Sequence, residues 1–305
     1  MKSLARFAMR GRSQAALVAA TGAVLSVLPI VGLFAALASA AVVALATLRQ
    51  GAGEGALVTV FAGVGGGVLA WLALGSPLPA LGFWLVYWLP VWGLAVVLGW
   101  SRSLSLALQA AALVALVALA LVYLLIGGTS EVWSAMLEPV RQALTDAHVI
   151  SAAESPQLMA QIAGWMPGLL TASVYLMVLV SLLLGRWWQS LLYGPGGFGA
   201  EYRALRIHPV VGLATIALHL IVVFTNGHWA VAGLVIVGTL LVLQGLAVLH
   251  ALVLARNARP GWLVALYALF VLGFPLPQMV IAGIGLADLW ADWRLRIERR
   301  KQDRQ

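Results

Sequence analysis

Forty-nine consecutive residues, Ile207–Ala255, contain no Asp, Glu, Lys or Arg. Four further stretches are equally free of charge: 36 residues between Arg12 and Arg49, 47 over Gly55–Ser101, and 28 each over Ser103–Ser130 and Pro260–Ala287. A helix needs about 20 apolar residues to cross bilayer hydrocarbon, so the longer runs each hold two crossings. No water reaches backbone polar groups at that depth, and a helix satisfies them within one segment. The composition agrees, with 63% hydrophobic and 9% charged residues, against roughly 45–50% and about 25% in a soluble domain. The sequence predicts an all-α, polytopic transmembrane helical bundle.

Breakers divide the runs into segments near 14–28, 31–48, 55–75, 81–99, 104–127, 166–187, 209–225, 229–254, 261–274 and 277–290. The first pair turns at Pro29 and the last at Pro275 and Pro277, where proline removes a donor and blocks a continuous helix. Members of those pairs are short, so the count is about 8–10 membrane segments, with ten preferred by charge. With the N-terminus in the cytoplasm, 17 of the 18 basic residues fall on the cytoplasmic side and only Arg141 falls outside, as the positive-inside rule requires. This divides the chain into a basic cytoplasmic N-tail (1–12), N-terminal transmembrane helices (13–127), an extracytoplasmic amphipathic segment (128–165), C-terminal transmembrane helices (166–293) and a basic cytoplasmic tail (294–305). The net charge of +8 then reads as topology and contact with membrane lipids, with no nucleic acid as partner. Ala38-Ser39-Ala40 resembles a signal-peptidase site, but Ser13–Leu37 is too long for an h-region of about 7–15 residues, and the segment reads as mature structure. Five crossings in each half meet the formal requirement for an inverted repeat, yet no residues match between the halves.

In the outer segment, Trp133, Met136, Leu137, Val140 and Leu144 recur at helical spacing opposite Glu131, Gln142 and Asp146. An amphipathic helix follows, lying on the membrane or closing over a cavity. Ser155-Pro156 predicts the start of a second, short helix, with Ser as N-cap and Pro at the first position.

Several chemistries are excluded. Lysine occurs only at Lys2 and Lys301, so no Walker A loop exists to reach nucleotide phosphates. Without cysteine there are no thiolate metal sites, disulfides or thiol nucleophiles. The histidines never fall in H-E-x-x-H, and no serine sits in G-x-S-x-G. Gly194–Gly199 matches G-x-G-x-x-G but follows a membrane helix where a dinucleotide site needs a strand. No catalytic residue, metal ligand set or cofactor site is expected, and membrane-embedded catalysis stays a third reading only.

The informative residues are polar groups and aromatics inside the apolar runs, because such groups at membrane depth are costly unless used. His219, Asn226 and Gln244, with His250, either hydrogen-bond between helices or line a pocket. Trp84 and Trp88, continuing to Trp92, stand at four-residue spacing and either pack and anchor at the interface or stack on a planar ligand. Glu201, Arg203 and Arg206 predict a short interfacial helix. Asp288 and Asp292 fall on one helix face, with Arg294 beside them, either clamped by basic groups such as Arg203, Arg206 or Arg256 or handling a proton. Ala15, Ala19 and Ala23 form a small-residue face that admits close helix approach.

Gly197-Phe198-Gly199-Ala200-Glu201-Tyr202-Arg203, Gln244-Gly245-Leu246-Ala247-Val248-Leu249-His250 and Gly285-Leu286-Ala287-Asp288 through Arg294 resemble the YybS-like family of bacterial membrane proteins, with the likeness concentrated in residues 165–300. That family is distantly similar to the substrate-specific (S) components of energy-coupling-factor vitamin transporters. The resemblance implies a small molecule bound within the bundle, near Trp84, Trp88, His219, Asn226 and Gln244. It also implies ATPases and a coupling subunit supplied in trans, the subunit docked on the Ala15/Ala19/Ala23 face, all in the bacterial cytoplasmic (inner) membrane. The alternative is a membrane scaffold or assembly protein that docks partners through Glu201, Arg203, Arg206, Asp288, Asp292 and Arg294.

Overall fold

A computed structural model describes residues 2–127, 131–151, 155–225, 227–256, 258–259 and 261–294. Among these residues there are thirteen helices and no strand. The first half holds α1 (Lys2–Ala8), α2 (Arg12–Leu25), α3 (Val31–Gln50), α4 (Ala52–Leu74), α5 (Leu78–Ser101) and α6 (Leu104–Leu125). Then come α7 (Glu131–Asp146), α8 (Ser155–Tyr193), α9 (Gly197–Arg203), α10 (Pro209–Thr225), α11 (His228–Ala255), α12 (Gly261–Leu272) and α13 (Leu276–Ala291). Six of them, α3, α4, α5, α6, α8 and α11, are long and apolar enough to cross a membrane. The chain is a multi-pass integral membrane protein of the all-α class.

All ten apolar segments expected from the sequence are helical, but they differ in length. The α2 helix has 14 residues, α10 17, α12 12 and α13 16. At 1.5 Å per residue α12 reaches only about 18 Å, well short of hydrocarbon about 30 Å thick. One expectation fails outright. The helix beginning at Ser155 is not short: it runs 39 residues to Tyr193, through Pro167, for roughly 58 Å. Its first turns pack against α7, where Trp133 and Leu137 are buried with Met159 and Ala163. That packing carries the helix across the proline. Met136 and Val140 on α7 stay exposed, so only part of the predicted apolar face is covered. On the polar face Arg141 and Gln142 donate to Glu138, and the Arg141 bond holds that carboxyl down at about 2.

The helices divide into two compact units, Met1–Ala111 with Leu176–Arg206, and Ala112–Tyr175 with Ile207–Gln305. In the first unit small residues let backbones meet. A Cβ on Gly22 would lie 2.8 Å from the Ala35 carbonyl, and one on Gly185 2.8 Å from that of Ala41. The buried Ser39 hydroxyl donates to the Ala19 carbonyl at 2.6 Å and accepts the Trp88 indole N–H at 2.9 Å, tying α2, α3 and α5 together. Five residues of α5, Trp84–Trp88, form a π-helical turn just before Pro90, which has no N–H to give the preceding turn.

In the second unit α11 and α13 approach closest. A Cβ on Gly245 would stand 2.0 Å from the Ile281 carbonyl oxygen, and one on Gly285 2.0 Å from that of Leu241. Neither obstacle is a movable side-chain tip, so any side chain there forces the helices apart. Gly283, two residues away on α13, has nothing within 4 Å of its would-be Cβ. Gly245→Ala and Gly285→Ala should each lose about 1–3 kcal/mol of stability, while Gly283→Ala is neutral or slightly stabilising; thermal unfolding of the three variants in one detergent checks this.

Candidate functional site

The close approach of α11 and α13 sets the geometry of a buried polar cluster. Gln244 on α11 lies one residue before Gly245, and Asp288 on α13 lies one turn after Gly285. Their side chains meet: the Gln244 amide donates to Asp288 Oδ2 at 2.7 Å. The helix then ends at Asp292, which adopts the left-handed conformation (φ 41°, ψ 57°), tolerable for a short polar side chain. This reversal returns the following residues to the same carboxylate. The Trp293 N–H donates to Asp288 Oδ1 at 3.1 Å, and Arg294 Nη2 donates to Oδ2 at 2.8 Å. The ion pair is buried, with side-chain exposures of 0% for Asp288 and 8% for Arg294.

The other end of the amide is also engaged. Gln244 Oε1 accepts the backbone N–H of the buried Ile207 at 3.0 Å, just ahead of α10. A buried donor left unsatisfied there costs about 1–3 kcal/mol. Three chain segments, the lead into α10, the middle of α11 and the end of α13, thus share one hydrogen-bonded cluster. It fits a structural clamp, the first of the two readings considered for Asp288. Two details of the expectation are corrected. Arg294 supplies the cation at Asp288, from the same element's own C-terminal turn. Asp292 has left the helix, so it does not extend Asp288's face.

The predicted pocket residues separate. Asn226 lies outside the described residues. Gln244 has both polar ends spent on protein groups, whereas His219 is exposed on α10, its Nδ1 donating to the Thr215 carbonyl one turn back at 2.8 Å. A pocket joining Gln244 to His219 is therefore not formed. His250 donates from Nδ1 to the Leu246 carbonyl at 2.8 Å, and the Tyr267 hydroxyl on α12 meets its Nε2 at 3.3 Å.

The tryptophan stripe belongs to the first unit, and its members diverge. Trp88 is fully buried on the Ser39 hydroxyl, which leaves no face for a ligand and corrects its assignment as a stacking platform. Trp84 is half-buried, its indole N–H donating to the Thr59 carbonyl at 3.2 Å. One side of its ring borders an apolar cavity of about 410 Å³ between α4 and α5, with Val60, Gly63, Gly67, Pro77 and Leu81. Sequence periodicity pointed to the aromatic but not to its partners. The signal available was the Gly63–Gly67 run on α4, which removes side chains opposite Trp84.

Burial overturns one further expectation and narrows another. Ala15, Ala19 and Ala23 are 3%, 0% and 6% exposed. Their face is covered from within the unit: α3 meets it through Ser39, while Ala20 beside it approaches Gly65 and Gly66 of α4. It offers nothing to a docking subunit. Of the expected interface residues, Asp288 and Arg294 are buried in the clamp, and Glu201 on α9 pairs with Arg186 at 2.7 Å. Arg206 stays exposed, its backbone N–H donating to the Ser105 hydroxyl at 3.0 Å. The short helix itself begins at Gly197 and ends at Arg203, earlier than expected. Among the described residues no group of three or more His, Asp or Glu is placed to hold a metal.

Comparison of the chain with protein-family models, curated proteins and solved structures finds no match.

The clamp makes an asymmetric prediction. Asp288→Ala leaves Arg294 buried without its counter-ion and should cost about 3–5 kcal/mol. Replacing Gln244, Asp288 and Arg294 together with leucine or methionine removes the uncompensated charge. It should recover most of that loss in the same thermal-unfolding measurement, short of the Ile207 N–H left unpaired.

Proposed function

We propose that this multi-pass membrane protein is a binding component for an apolar small molecule that enters sideways from the lipid phase, as one part of a transport system powered by other subunits. The observation that carries this reading is the cavity at Trp84. Its volume of about 410 Å³ falls within the range of about 300–1,000 Å³ that suits small-molecule sites. Its walls are apolar, and an indole face supplies a flat contact. Val64 and Leu78, at 65% and 69% exposure, stand at its rim, so the opening faces the hydrocarbon rather than water. A ligand arriving there sheds little hydration and needs no aqueous gate.

The resemblance to transporter S components supports the same class of function, with one change. Because the Ala15/Ala19/Ala23 face is used inside the protein, a coupling subunit would meet a different surface. The scaffold alternative has less support, since Glu201, Asp288 and Arg294 are already spent on internal partners. The cytoplasmic membrane of a bacterium remains the proposed location, the orientation resting on the charge distribution and the bacterial setting on the resemblance alone.

Native mass spectrometry of protein mildly extracted from its own membranes tests the proposal. One non-lipid small molecule per chain is expected on the wild type. Trp84→Ala should weaken its retention roughly tenfold. Gly63→Leu, whose side chain would push on an indole already 3.0 Å from a Cβ at that position, should abolish it. A wild type carrying no such molecule, or all three carrying it equally, overturns the reading.

A further inference from the structure

The α12 helix is the least integrated element of the second unit: none of its residues is buried. Between it and α11 lies an apolar groove of about 640 Å³. Its walls are regular. Leu249, Leu252 and Arg256 line it from α11, and Trp262, Ala265 and Leu269 from α12, in each case at spacings of three and four residues, so that one continuous stripe of each helix faces the gap. The Tyr267–His250 contact ties the two helices across a polar bridge. The groove therefore persists as a slot beside that tie.

One end of the slot differs from the rest. Arg256, exposed where α11 ends, is its one charged wall residue, and Trp262 stands there at 69% exposure. Arginine beside an exposed tryptophan marks the level of lipid headgroups. Among the described residues no carboxylate pairs with Arg256. The slot thus has an apolar body open to hydrocarbon and, at its polar end, a cation with no counter-ion among the described residues.

We infer that this groove seats one acyl chain of an anionic phospholipid, whose phosphate is held by Arg256. The charge selects the occupant. A neutral apolar molecule would leave the guanidinium unmatched, and a partner helix would need an acid at one fixed place. An anionic lipid brings both parts in the required order, with a planar guanidinium suited to bidentate contact with phosphate. Bound in this way, the lipid would complete the packing of α12, which the protein leaves half-finished.

The full-length protein in nanodiscs of phosphatidylglycerol, and separately of phosphatidylcholine, provides the test, with retained lipid read by native mass spectrometry. The wild type should keep one phosphatidylglycerol per chain, and phosphatidylcholine far less. Arg256→Gln should reduce the preference for phosphatidylglycerol roughly fivefold. Arg259→Gln, three residues on but outside the groove walls, should leave it unchanged. Ala265→Trp should fill the slot and abolish retention of either lipid, and Leu252→Trp, on the facing wall, repeats that block should the first variant misfold. Equal retention of the two lipids, equal loss in Arg256→Gln and Arg259→Gln, retention indifferent to both tryptophans, or a protein dimer in place of lipid overturns the inference. None of these variants touches the Trp84 cavity, so the outcome is independent of the small-molecule proposal.

Discussion

Two glycines, Gly245 and Gly285, hold the backbones of α11 and α13 so close that a Cβ on either would overlap a carbonyl of the other helix. In lipid there is little hydrophobic gain from pressing helices together, because the alternative contact is equally apolar. What replaces it is dense van der Waals contact, available only where side chains are absent, and hydrogen bonds that water does not compete for. The second unit uses both at one place. The glycines bring the backbones together, and that distance lets the Gln244 amide reach Asp288 at 2.7 Å. Without the approach the carboxylate and Arg294 would be charges in hydrocarbon with one fewer partner. Without the cluster the N–H of Ile207 would be an orphan at the start of α10. Packing and polarity are therefore a single device.

The first unit solves the same problem differently. Its close contacts run through alanine and glycine on α2, α3, α4 and the second half of α8, and its fully buried polar ties are neutral, Ser39 to Ala19 and Trp88, with Gln189 to the Leu48 carbonyl at 2.9 Å and a partly exposed Arg186–Glu201 ion pair beside them. Neutral ties carry no charge to be stranded when a partner moves. The Arg12–Glu54 pair is half-exposed at the ends of α2 and α4, where screening leaves it worth little. Among the described residues only the Asp288–Arg294 pair brings full charges into a fully buried place. Its removal is thus expected to be the most disruptive single change in either unit.

The helices themselves were plain in the sequence because uncharged runs and prolines act locally, and every predicted apolar segment exists. The site was less legible. Gln244 and Asp288 were each conspicuous, one as an amide inside a 49-residue uncharged run and the other as the lone acid between Glu201 and Asp292, but nothing periodic links positions 44 apart. The helix beginning at Ser155 is announced by its Ser-Pro start, but its length is not legible, since Pro167 reads as a stop unless packing on α7 is known. Ala15, Ala19 and Ala23 showed the opposite failure. A small-residue stripe states that something comes close, and says nothing about whether the neighbour belongs to the same chain. Here it does.

The same reasoning explains where unsatisfied surface remains. Glycine approaches and buried polar ties account for α2 through α5, and for α10, α11 and α13, whereas α12 is held, among the described residues, only by polar contacts at its own periphery, Tyr267 to His250 and the Gln278 amide to the Phe270 carbonyl. Its polar contact with α11 is the tyrosine–histidine pair, and its one glycine, Gly261, has nothing within 4 Å of a would-be Cβ. Such a helix cannot be drawn in by the protein's own contacts, because lipid satisfies it equally well. What distinguishes the gap from ordinary lipid-facing surface is Arg256, a cation fixed where the hydrocarbon ends. The protein therefore leaves the Trp84 cavity and the α11–α12 groove to the bilayer and marks only the second of these two with charge. That difference separates a lipid that completes the fold from a molecule that the fold could carry.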